Sequence, residues 1–126
     1  MDISGTYIKM CEKAKEIQNK RLQHTNWDCD IENHYPHLAV DDEHDYWWRE
    51  ATKDVWLPRQ DQLQEMVFPN MPYYQKLGLI YEAFKEGLAF NKDWILFPGS
   101  MEQLWLAFTM KQLYHKTWNS ESWTLA

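Results

Sequence analysis

VWLPRQDQLQEMV, residues 55–67, changes its pattern at the midpoint. Val55, Trp56 and Leu57 are the bulky, branched or aromatic residues that suit a strand. Pro58 then lacks an N–H, which costs nothing in the first turn of a helix. Arg59 to Val67 read as a short helix, halted by Phe68-Pro69-Asn70. A strand that feeds a helix with no intervening loop places the chain in a mixed class.

The same alternation of types continues on both sides. Upstream, Ile3, Tyr7, Met10, Ala14 and Ile17 recur at helical steps, so residues 3–23 form one amphipathic helix. Cys11 borders that stripe and reads as a buried thiol. Residues 24–54 carry nine acids against Arg49 and Lys53. Leu38-Ala39-Val40 and Tyr46-Trp47-Trp48 interrupt them as edge strands of a small sheet or as ordered loop. Downstream, Tyr73 to Glu86 form a helix whose Tyr73, Leu77, Ile80, Tyr81 and Phe84 share a face, with Gly87 as its stop. Trp94-Ile95-Leu96-Phe97 is a short apolar run that reads as a buried strand.

Ser100-Met101-Glu102-Gln103 has the form of a capping box, in which the serine hydroxyl accepts an N–H of the first turn. The helix behind it runs to about His115 and is apolar almost all round, which marks a central helix. Trp118 to Trp123 read as two extended pieces around a polar turn. Together these elements predict a single α+β domain over residues 1–126. About four helices pack with a small, largely antiparallel sheet, and helix 101–115 is central.

At 44% apolar residues the chain can bury a real core, and its aromatic share of 16%, with eight tryptophans, is high, part of it belonging to that core. The net charge of −6 and only three arginines, Arg21, Arg49 and Arg59, argue against general nucleic-acid binding and against a polybasic membrane anchor. No apolar run approaches ~20 residues, so neither a signal peptide nor a membrane span is expected. Cys11 and Cys29 lack metal spacing, and free thiols in a cytosolic setting follow.

WLPRQDQLQEMV at 56–67 and SMEQLWLAFTMKQLYHKTW at 100–118 resemble a family of small uncharacterised bacteriophage and prophage proteins, and KMCEKAKEIQ at 9–18 looks like that family's opening helix. The resemblance covers about half the chain. It implies a viral origin and the host cytoplasm as the setting, and no particular activity.

The residues offer four kinds of chemistry. His34, His37 and His44 lie among Asp41, Asp42, Glu43 and Asp45, but without a metal-binding motif they read as a solvated acidic face, and no metal or cofactor is expected. Neither cysteine sits in a nucleophile motif, no serine lies in a G-x-S-x-G elbow, and four glycines form no phosphate loop, so no enzyme is expected. Trp56, Arg59, Gln60 and Gln62 crowd one strand-to-helix junction, where a ring can stack, a guanidinium can fork onto phosphate and helix N–H groups can face an anion. The plainer reading packs Trp56 inward and pairs Arg59 with Asp61 or another acid. Finally, Trp47, Trp48 and Arg49 beside Asp41, Asp42, Glu43 and Asp45 have the make-up of a protein interface. In a strand, Trp47 and Trp48 face opposite ways.

The expected function is therefore that of a non-enzymatic phage accessory protein that sequesters a small nucleotide-like defence signal. The alternative is a protein that blocks a host defence protein through an acidic, aromatic-rich surface. A homodimer or higher homo-oligomer is expected in either case.

Overall fold

The computed structural model describes residues 1–21, 36–50, 53–90 and 99–125. The fold is α+β, with five helices and antiparallel sheets of three and two strands among the described residues. Two compact units, Met1–Arg59 and Gln60–Ala126, make up the chain.

In the first unit, Ser4 opens α1 (Gly5–Lys13), its hydroxyl accepting the Tyr7 N–H at 3.2 Å. This start leaves Ile3 outside the helix and exposed, so the expected stripe begins one turn later, at Tyr7. Tyr7, Met10, Cys11, Ala14 and Ile17 are all buried. Burial pushes the Cys11 thiol far above its ordinary range, which keeps it an inert core group.

The single helix expected over 3–23 is broken. Ala14 leaves helical geometry at φ −83°, ψ 75°, and its N–H is shared between the carbonyls of Met10 and Cys11. A short α2 (Lys15–Gln18) follows, which makes five helices among the described residues, one more than expected. No glycine or proline marks the break. Past it, Ile17 stays buried and the Gln18 side chain meets the main chain of a strand.

That strand belongs to a sheet of β1 (His37–Val40), β2 (Tyr46–Glu50) and β3 (Lys53–Leu57), in the order β1-β2-β3. Both apolar pieces of the acidic stretch are strands, but Tyr46-Trp47-Trp48 lies in the middle of the sheet, not at its edge. Trp47 pairs with Trp56 and Trp48 with Val55. Three consecutive residues of β3, Val55, Trp56 and Leu57, are buried, so both faces of this strand are covered. α1 packs on β3. The Tyr7 hydroxyl donates to the Pro58 carbonyl at 2.6 Å, and Lys53 pairs with Glu12.

In the second unit, α3 (Gln60–Val67) ends where Phe68-Pro69-Asn70 predicts, with Asn70 in the left-handed region at φ 58°. α4 (Tyr73–Phe90) runs through Gly87, so that glycine does not stop it. Its lysine Lys76 is buried and paired with Glu65 of α3. α5 (Met101–Tyr114) is the buried element of this unit, packed against α3 and against β4 (Lys116–Trp118). Residues 105–110 are buried without a break, matching its all-round apolar sequence.

The capping box forms with one change. The Ser100 hydroxyl accepts the Gln103 N–H at 3.1 Å, while the Gln103 side chain accepts from Gly99, one residue before the cap. His115 closes the helix in the left-handed conformation, a place glycine usually takes. Buried Thr109 satisfies its hydroxyl on the Trp105 carbonyl at 2.8 Å. The two extended pieces expected near the end are β4 and β5 (Trp123–Leu125), which pair antiparallel, with the Asn119 side chain in the turn accepting from Glu121 and Ser122. The Trp94–Phe97 run and Cys29 lie outside the described residues.

Leu106 is fully buried in α5. Leu106→Ala is expected to cost about 2–5 kcal/mol in urea denaturation, the range for a large core deletion. A loss below about 1 kcal/mol would remove α5 from the core of its unit.

Candidate functional site

Asp41 organises the turn between β1 and β2. One carboxylate oxygen accepts the N–H groups of Glu43 and Asp45, each at 2.9 Å. The other accepts the indole N–H of Trp47 at 2.9 Å. The main chain closes the turn as well, with Asp41 N–H on the Asp45 carbonyl at 3.1 Å. His44 takes the left-handed conformation at φ 63°, which histidine tolerates better than bulky or branched residues do. The result is a turn with few ways to move.

Asp45 points inward and is buried, although sequence patterning groups it with the surface acids. Two arginines reach it. Arg21 lies at 3.2 Å through Nε, and Arg59 at 3.8 Å through Nη1. Arg59 also donates to the His44 carbonyl. Arg21 has a second carboxylate, the exposed Glu43, at 3.8 Å. A buried carboxylate is tolerable only when it is paired in this way.

The Arg21 guanidinium also lies over the Trp56 ring, 5.0 Å from its centroid. Trp56 is buried beneath it, so this face of the ring already carries a cation. Its indole N–H finds no hydrogen-bond partner among the described residues. On the main chain, Gln18 donates to the Trp56 carbonyl at 2.8 Å and accepts its N–H at 2.9 Å.

The expected ligand set is therefore divided. Trp56 and Arg59 belong to the first unit, where Arg59 takes another acid, Asp45, and Trp56 packs inward. Gln60 and Gln62 are half-buried residues of α3 in the second unit.

The expected partner set is also sorted by the structure. Asp41 and Asp45 hold the turn together, while Asp42 and Glu43 are exposed on it. Trp47 is buried and Trp48, on the opposite face, is half-buried. Arg49 pairs across the sheet with Asp54 at 3.3 Å.

Two residues that the sequence reading did not single out, Gln18 and Arg21, prove central to this arrangement. Their signal is faint: both lie just beyond the last apolar position of the opening stripe.

Among the described residues no group of three His, Cys, Asp or Glu side chains is placed to hold a metal ion, and His34 lies outside them. Among the same residues no helix is long and apolar enough to cross a membrane. The chain matches no protein-family profile, no curated protein and no solved structure.

The two neighbouring acids separate the roles. Asp41→Ala leaves a buried indole N–H and two turn N–H groups without their acceptor, and is expected to cost roughly 1.5–3 kcal/mol. Asp42→Ala, one residue on, should stay within about 0.5 kcal/mol of wild type. Equal losses in paired urea titrations would contradict the role given to Asp41.

Proposed function

We propose that this chain is a non-enzymatic phage accessory protein that binds a host defence protein and covers a basic surface on it. The observation that carries this reading is the pre-set β1–β2 turn. Asp41 fixes its backbone, and Asp42 and Glu43 project from it. A turn ordered before binding loses little conformational freedom when a partner docks. Trp48 and the exposed Val40 add apolar area on the neighbouring strands. The motif resemblance to small phage proteins supplies the viral setting.

A second reading, sequestration of a nucleotide-like signal, draws on one specific feature. Arg21 and Arg59 converge on a single buried carboxylate, Asp45, so a phosphate would find two guanidinium groups in one place. The same turn carries four acids, Asp41, Asp42, Glu43 and Asp45, of which Asp45 and Glu43 pair with these cations, and together the acids outweigh them. That balance favours a basic protein partner over an anionic ligand.

The test joins partner capture from host lysate, with mass-spectrometric identification, to calorimetry against cyclic dinucleotides, cyclic trinucleotides and ADP-ribose derivatives. The double reversal Asp42→Lys with Glu43→Lys should leave the fold intact and slow association with the captured protein about tenfold or more at low salt. Added salt should slow the wild type toward the variant. Heat with a nucleotide that disappears in Arg59→Ala, together with capture unaffected by the reversal, would replace this reading with sequestration.

A further inference from the structure

The most exposed apolar surface in the described residues lies on α4. Tyr73 is 82% exposed, Tyr74 74%, Leu77 68% and Tyr81 65%. Sequence periodicity places Tyr73, Leu77, Ile80 and Tyr81 on one face that is expected to pack, yet only Ile80 among them is even half-buried. The side chain of Phe84 lies outside the described set. Contiguous aromatic surface of this kind on a water-exposed helix marks a contact site.

What fits that face is set by its order and its charge. Tyr74, Leu77, Gly78 and Tyr81 are spaced three, one and three residues apart. The series reads the same in both directions: an aromatic, a central pair, an aromatic. Residues three and four apart share a helix face, so all four sit together. A Cβ built on Gly78 would meet no atom within 4 Å, which leaves a notch beside the Leu77 side chain.

Charge points the same way. From Met71 to Tyr81 the sole charged residue is Lys76, and it is buried against Glu65. That pairing holds the Glu65 carboxyl below its ordinary range. Two copies of a chain with net charge −6 repel one another through most of their surface. The exposed charges nearest this face, Glu82 and Lys85, lie at its C-terminal end, with the Lys85 ammonium 5.9 Å from the Tyr81 ring centroid, so in an antiparallel pair the two copies meet without opposing like charges.

We propose that α4 pairs antiparallel with α4 of a second copy of this chain, about a two-fold axis passing between Leu77 and Gly78. Leu77 of each copy then fills the notch over Gly78 of the other. Tyr74 of each copy lies beside Tyr81 of the other. Every contact occurs twice, as an isologous interface requires. Three tyrosines and a leucine per copy bury on the order of 1,000 Å² in total, the low end for a specific interface. Interfaces at this low end of size are weak and transient, so the dimer is expected to have a dissociation constant on the order of micromolar.

Sedimentation velocity over roughly 1–200 μM, spanning that dissociation constant, tests the pairing on the full chain. The wild type should pass from monomer to dimer across the range, and Gly78→Arg should stay monomeric with an unchanged far-UV spectrum. The register is tested by mixing two single-cysteine variants, Tyr74→Cys and Tyr81→Cys, each in a Cys29→Ser background. Disulfide should form between the two variants and not within either alone. A wild type that stays monomeric throughout, a dimer that survives Gly78→Arg, or Tyr74→Cys that couples chiefly to itself would each overturn the proposal.

Discussion

The carboxamide of Gln18 supplies both hydrogen bonds that the main chain of Trp56 requires away from its neighbouring strand. In an antiparallel pair, directly opposed residues alternate between bonded and non-bonded positions. Trp56 faces Trp47 at a non-bonded position, because its N–H and carbonyl both turn to Gln18. One side chain therefore does for β3 at this point what another strand would do. An edge left open in the middle of a buried strand would cost the full desolvation of two peptide groups. With the Glu12–Lys53 contact and the Tyr7 bond to Pro58, one residue past the strand, the opening helices are tied to β3 and its end at three places.

The acidic turn depends on that attachment. Three residues beyond Gln18, Arg21 lies over the Trp56 ring and against Asp45 at the far end of the turn. Arg59, just past β3, holds the His44 carbonyl and the same carboxylate. Two of the three arginines are thus braces between the helix, the strand and the turn. They set the positions of Asp42 and Glu43, which make no part of the bracing except for the long Glu43–Arg21 contact at 3.8 Å. The turn presents Asp42 and Glu43 to solvent while both nearby arginines reach the buried Asp45. The second unit solves a different problem. α5 gathers its core, and Lys76 with Glu65 ties α4 to α3 while the aromatic face of α4 remains outside.

The elements that a local signal defines were legible in the sequence. Ser100 and Gln103 announce the start of α5, Pro69 ends α3, and the unbroken apolar run after Ser100 marks a buried helix. The strand at Val55–Leu57 follows from residue type alone. Features that depend on partners distant in sequence were not legible. Nothing around Ala14 indicates that the helix breaks there, because the gain is a bond to Trp56, 38 residues after Gln18. Gly87 resembles a stop, yet the helix continues to Phe90, since propensity yields to its surroundings. Asp41 and Asp45 look like their exposed neighbours Asp42 and Glu43, and only the folded turn separates structural acids from surface ones. The α4 stripe carries the period of a packed face, but period alone does not say whether its partner lies in the same chain.

Hydrogen exchange at the Trp56 amide tests the central constraint most directly. In the wild type this amide should be protected to the same degree as those of Val55 and Leu57, its neighbours in β3. In Gln18→Ala the Trp56 amide should exchange about 10–100-fold faster, the equivalent of losing one buried hydrogen bond, with a smaller change at its neighbours. Protection at Trp56 that is unaltered by Gln18→Ala would contradict the account, because the strand edge would then be held by something other than this side chain.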